Sequence, residues 1–216
     1  MFDRICLRLL PLALAVSAPA LASATPDQDP GELSCRAIPD HAFEAAHSGN
    51  LHAQTQLGRM LVDGYCGNGA NAFWAGVGFL EAASEEGHGD AAAIVAVLFD
   101  DGVAIQPDRP RALAHYRRAA HAGHLVAQHR LGMLLISGEG GETNTDMGLY
   151  WLGKAASQGD GIAAAALGLM HARGMYGVRE DACLARDWYE ASELMEAPIP
   201  LEDLREELRE SDIQDC

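Results

Sequence analysis

The stretch His124 to Gly159, HLVAQHRLGMLLISGEGGETNTDMGLYWLGKAASQG, decides the fold, because its landmarks recur in register on both sides of it. Its first half, pattern A, begins with an alanine, has an apolar and then a small residue four and five positions on, and a glycine eleven positions on. Four copies exist: Ala53/Leu57/Gly58/Gly64, Ala91/Val95/Ala96/Gly102, Ala127/Leu131/Gly132/Gly138 and Ala163/Leu167/Gly168/Gly174. Their starts lie 38, 36 and 36 residues apart. The column Met60, Leu98, Leu134, Met170 is apolar throughout, as a packed helical face requires. The small column Gly58, Ala96, Gly132, Gly168 lets a neighbouring helix approach closely, at a cost in helix propensity.

The second half, pattern B, follows an Asx residue suited to capping the orphan NH groups of a helix start: Asn71, Asp108, Asn144 and Asp181. Each leads to an aromatic or apolar landmark and then a small pair: Phe79-Leu80 with Ala82-Ala83, Tyr116 with Ala119-Ala120, Trp151-Leu152 with Ala155-Ala156, and Trp188-Tyr189 with Ala191-Ser192. Gly87, Gly123 and Gly159 end the first three B helices, and Asn50, His88, His124 and Asp160 read as turn residues before the A helices. The repeats therefore run at about 51–87, 88–123, 124–159 and 160–195. A short helix from His41 to Ser48, capped by Asp40 and closed by Gly49, precedes them. After Leu194 the spacing lapses at Pro198 and Pro200. Leu201, Leu204 and Leu208, with Glu202, Asp203, Glu206, Glu207 and Glu210 opposite, predict a capping helix at about 200–213 that covers the apolar end of the array.

Residues 1–24 join Arg4 and Arg8 to the apolar run Leu9 to Ala22 and close on Ala22-Ser23-Ala24, which reads as a secretory signal peptide too short to span a bilayer comfortably. Residues 25–34 (TPDQDPGELS) form a flexible leader, and 35–216 the folded domain. The chain is expected to be periplasmic or secreted, with no membrane insertion after cleavage. Its net charge of −16 repels phosphate backbones and anionic lipids, which excludes nucleic acid as a partner class. Lys154 is the sole lysine, so positive charge is nearly all arginine.

The pattern resembles the sel-one-like repeat family, relatives of the tetratricopeptide repeats, whose repeat runs roughly A-x3-LG-x2-Y-x2-G-x-GV-x2-D-x2-KA-x2-WY-x-KAA-x2-G. Copy two carries Gly102, Ile105, Asp108, Arg111-Ala112, Tyr116 and Arg118-Ala119-Ala120; copy three Leu131-Gly132, Gly138, Trp151 and Lys154-Ala155-Ala156; copy four Leu167-Gly168, Gly174, Val178, Asp181, Ala185 and Trp188-Tyr189. The family's helix-A tyrosine is replaced by Leu61, Phe99, Leu135 and His171. The resemblance implies an all-α, right-handed α-solenoid of about four helix-turn-helix repeats, acting as a non-catalytic adaptor or scaffold that binds a protein or peptide on the concave face lined by the A helices. The chain is expected to act as a monomer.

In stacked hairpins the start of one helix lies beside the end of its antiparallel neighbour. Of the three connectivities open to Cys35, Cys66, Cys183 and Cys216, this favours Cys35–Cys66 and Cys183–Cys216, each stapling a terminal repeat. Zinc is disfavoured, because these cysteines lack paired close spacing.

No nucleophile elbow, His-Glu-x-x-His helix, phosphate loop or dinucleotide fingerprint occurs, and no serine lies three residues before Lys154. No catalytic residue, metal site or cofactor is assigned, and enzyme activity is not expected. His121, His124 and His129 fall on a helix end, a turn and a helix, so they do not form a ligand set. His171 breaks an apolar column, either as a histidine bonded to backbone or as a polar contact in the groove, which Arg130 and Arg59 would flank. The competing reading is a cell-wall or β-lactam-like small-molecule binding protein with weak or no hydrolase activity.

Overall fold

The computed structural model describes residues 40–65, 69–102 and 106–195. The expected signal peptide 1–24, the expected leader 25–34, Cys35, Cys66, the expected capping helix at 200–213 and Cys216 lie outside the described residues. The described residues fold as helices α1 (Asp40–His47), α2 (Leu51–Val62), α3 (Ala70–Glu85), α4 (Gly89–Asp101), α5 (Arg109–His121), α6 (Leu125–Ser137), α7 (Thr145–Ser157), α8 (Gly161–Arg173) and α9 (Ala182–Leu194), with a 3₁₀ turn at Met175–Gly177 and no strand among them. The A patterns are α2, α4, α6 and α8, and the B patterns α3, α5, α7 and α9. The all-α helix-pair repeat expected from the sequence is what the structure shows.

The chain divides into two compact units between Val95 and Ala96. In the first, α2 packs on α1 and α3 around Phe43, Ala46, Leu57, Leu61 and Ala72. In the second, each helix from α5 to α9 packs on the next in sequence. Ile136, Leu152, Ala156, Ala164, Leu167 and Met170 form a core there.

Helix starts follow local chemistry. Asp108, Asn144 and Asp181 accept from the backbone N–H of Arg111, Met147 and Leu184 at 3.0, 3.1 and 3.0 Å. Asn71 does not cap: α3 begins one residue before it, with Gly69 at the cap position and no side-chain bond. Copy one reaches the same fold without that interaction. At the other end, Gly138 takes φ 74° and its N–H returns to the Leu134 carbonyl, a left-handed closure a side chain would strain.

The A and B helices of copies one and three cross at paired glycines. A Cβ built on Gly58 would stand 2.7 Å from Leu80 Cγ and 2.8 Å from the Gly76 carbonyl oxygen. On Gly132 it would stand 2.7 Å from Leu152 Cγ and 2.9 Å from the Gly148 oxygen. Leu80 and Leu152 are fully buried, so neither can withdraw. Gly153, one residue beyond Leu152 in α7, has nothing within 4 Å of such a Cβ. Gly132→Ala should therefore lower stability by about 2 kcal/mol through overpacking, whereas Gly153→Ala should raise it by about 0.5–1 kcal/mol through helix propensity. Denaturant unfolding of the two variants measures both signs.

Candidate functional site

Helical spacing leaves one stripe of each A helix uncovered, at intervals of four, three and four residues. In α2 the stripe is His52, Gln56 and Arg59, followed by the cap residue Asp63, and it pairs with itself. His52 Nε2 lies 2.8 Å from Gln56 Nε2, and Arg59 Nε 3.6 Å from Asp63 Oδ2. Arg59 thus spends its guanidinium on its own helix. In the second unit the stripe changes character: Val126, Arg130, Met133 and Ser137 on α6, and Ile162, Ala166, Leu169 and Arg173 on α8. Val126 and Ile162 are exposed, and Met133, Ala166 and Leu169 half-buried. Arg130 is exposed and forms no hydrogen bond or ion pair among the described residues.

His171 stands off this stripe. Its counterparts Leu61, Phe99 and Leu135 are buried, and the half-buried His171 ring places Nδ1 3.4 Å from the Arg179 carbonyl oxygen. Arg59 belongs to the first unit and Arg130 and His171 to the second.

The spacing-derived turn residues do more than turn the chain. Asn50, His88, His124 and Asp160 accept from the backbone N–H of Ala53, Ala91, Ala127 and Ala163 at 3.0, 3.4, 3.3 and 3.0 Å. An imidazole serves as cap only through a ring nitrogen that carries no proton, and in His88 and His124 that nitrogen is Nδ1. Asp160 also makes a second contact, because its other oxygen is 2.9 Å from His129 Nδ1, which ties α6 to the start of α8. The equivalent residues of copy one, Thr55 and His88, approach to 3.2 Å. Gln128, buried beside His129, donates to the Ala120 carbonyl at 3.3 Å and accepts from Gln158. The α6 helix is therefore tied both to the end of α7 and to the start of α8. His121 packs edge-on against Trp151 at 5.1 Å. His121, His124 and His129 each have a different partner, and no group of three metal-binding side chains occurs among the described residues.

His115 escaped the sequence reading. It occupies the column of Phe79, Trp151 and Trp188, so a histidine among aromatics at that register was the signal. Its ring stacks on Phe99 with centroids 6.2 Å apart, and Arg111 lies 4.1 Å from the Phe99 centroid. Burial first, then the positive charges of Arg118 and Arg111, pull its pKa down to about 4. Beside it the buried Tyr116 hydroxyl donates to Asp100 at 3.1 Å. Burial and the Asp100 charge push that phenol's pKa up.

Stacked helix pairs, glycine crossings and an uncovered A-helix stripe define a helix-pair repeat protein. The Sel1 repeat model matches residues 89–124, 125–160 and 161–192, so the chain carries three Sel1 repeats. It is similar in structure to a Sel1 repeat protein from Oxalobacter formigenes, with 25% identity, a TM-score of 0.60 and coverage of 71% of this chain and 62% of that one. It is also similar to c5321, described as a protective antigen present in uropathogenic Escherichia coli strains displaying an SLR fold, with 26% identity, a TM-score of 0.62 and coverage of 71% and 32%. The chain thus spans less than two thirds of either protein. No curated protein matches it. Sel1-repeat proteins are generally protein-interaction adaptors, typically non-catalytic. No helix among the described residues is long and apolar enough to cross a membrane.

The lowered His115 pKa has a definite sign. Between its ordinary 6.5 and about 4 the unfolded chain takes up a proton that the native ring refuses. His115 therefore weakens the fold progressively as pH drops through that window, by up to about 1.4 kcal/mol per pH unit. His115→Phe should flatten the decline in unfolding free energy between pH 6.5 and 5, measured by urea titration, while leaving the value at pH 8 less affected.

Proposed function

We propose that this chain is an exported, non-catalytic adaptor that binds a segment of another protein across the uncovered stripe of α6 and α8. The observation that carries the reading is the change in the stripe from self-paired polar groups on α2 to apolar side chains around an exposed Arg130 on α6 and α8. Apolar contact area beside an arginine that need not give up another partner is the composition from which binding hot spots are made. The link His129–Asp160 ties α6 to the start of α8, and Gln128–Gln158 ties α6 to the end of α7 between them, which lowers the ordering cost of binding. Export is supported by residues 1–24 and by Cys183, which is disulfide-bonded at the start of α9, as suits an oxidising compartment. We pair Cys183 with Cys216, and Cys35 with Cys66, because antiparallel helices bring the start of one beside the end of the next.

A pull-down from periplasmic extract with disulfides intact tests this reading. The native chain should enrich a specific protein, and Arg130→Glu combined with Ile162→Ser should reduce its recovery about tenfold or more. Enrichment of peptidoglycan fragments with no protein partner contradicts the adaptor reading and favours a cell-wall binding protein.

A further inference from the structure

A second uncovered surface lies on the B side of the second unit. The residue three beyond the caps Asp108, Asn144 and Asp181 is Arg111, Met147 and Leu184. A first-turn position facing solvent favours a polar side chain, as Arg111 is. Yet Met147 and Leu184 are 42% and 37% exposed. Tyr150, one turn beyond Met147 on α7, is also exposed.

The loop between α8 and α9 adds a third apolar group at this end, and holds it under strain. From Gly174 to Asp181 it runs eight residues, where the loop of copy three takes seven from Gly138 to Asn144. The extra residue leaves Tyr176 at φ 56° and ψ 27°, the only non-glycine among the described residues with positive φ. Left-handed backbone is costly for a residue with a Cβ. Burial does not compensate, because the ring is 49% exposed. A glycine would suit the backbone better and would remove the ring. The Tyr176 carbonyl accepts from Thr145 Oγ1 at 3.3 Å, so the loop is tied to the first turn of α7, two residues from Met147.

The surrounding charge identifies the occupant. Exposed acids neighbour these residues along the chain, Asp146 beside Met147, and Glu180, Asp181, Asp187 and Glu190 on either side of Leu184, against Arg179 and Arg186. Arg186 is already engaged by Asp187 at 3.3 Å and Glu190 at 3.9 Å. The whole chain carries −16. We propose that Met147, Tyr176 and Leu184 form a second docking surface, separate from the α6–α8 stripe, for a protein segment that presents apolar side chains next to lysine or arginine. Apolar contact supplies the affinity and the acidic border selects the sign of the partner's charge.

Fluorescence anisotropy with the full chain tests the proposal, using a labelled 15-residue amphipathic Leu/Lys peptide, its Leu/Glu counterpart, and neutral phosphatidylcholine vesicles as a competing apolar surface. The Leu/Lys peptide should bind, and Met147→Ser with Leu184→Ser should weaken it about tenfold at an unchanged melting temperature. Tyr176→Gly should raise the melting temperature and still weaken the peptide, a combination that a purely structural role for the ring does not produce. Arg130→Glu should leave this binding unchanged, which separates the outcome from that of the stripe. Equal binding of the Leu/Glu peptide, capture by the vesicles instead, or indifference to the serine and glycine substitutions overturns the proposal.

Discussion

The structure depends on how closely helices A and B cross in copies one and three. Gly58 against Gly76, and Gly132 against Gly148, bring backbone to backbone, and a single Cβ on either A-helix glycine would collide with a carbonyl oxygen that cannot move. Contact at this range has consequences on both sides of the crossing. Leu80 and Leu152 are driven to complete burial, and the next A helix comes near enough for short polar side chains to bridge it. In copy four a Cβ on Gly168 would stand 3.2 Å from the Ala185 oxygen, and copy two carries Ala96 and Ala112 at the corresponding sequence positions. The tight and looser copies alternate.

Polar links follow the same alternation. The residues one and two beyond the start of pattern A are Gln54-Thr55 and Gln128-His129 in the tight copies, and Ala92-Ala93 and Ala164-Ala165 in the others. Gln54 and Gln128 donate to the equivalent carbonyls of Ala46 and Ala120. Their oxygens differ in fortune. Gln158 donates to Gln128, while at the matching place in copy one stands Glu86, whose carboxylate has no proton to give, and Gln54 Oε1 is left buried without a partner. One substitution between repeats thus separates a satisfied link from an unsatisfied one. Copy three, with both links complete, carries the α6 half of the apolar stripe, and α8 of copy four carries the rest.

Much of this was legible in the sequence, for a local reason. The glycine columns, the apolar column and the caps Asp108, Asn144 and Asp181 each act within a few residues, and repetition in register reinforced every one. Asn71 misleads because the signal for a cap is the side chain alone, whereas the start of α3 is decided by the backbone at Gly69. His88 and His124 read only as turn residues, because an imidazole caps only through an unprotonated nitrogen, which composition does not report. His115 escapes for a different reason: its character comes from Phe99, Arg111 and Arg118, two of them on its own helix and one across the hairpin. Arg59 and Arg130 share one description in the sequence, and only geometry separates the arginine committed to Asp63 from the one left exposed. The strain at Tyr176 is hidden too, since one extra loop residue does not announce which backbone angle absorbs it.

The glycine crossing, completed by the Gln128 link, should make copy three the most stable part of the second unit. Native-state hydrogen exchange on the full chain tests it residue by residue. The amides of α6 and α7 should exchange last, after those of α5, α8 and α9. Protection in α8 and α9 equal to or greater than that in α6 and α7 would contradict the account, because stability would then follow apolar burial without regard to the tight crossing.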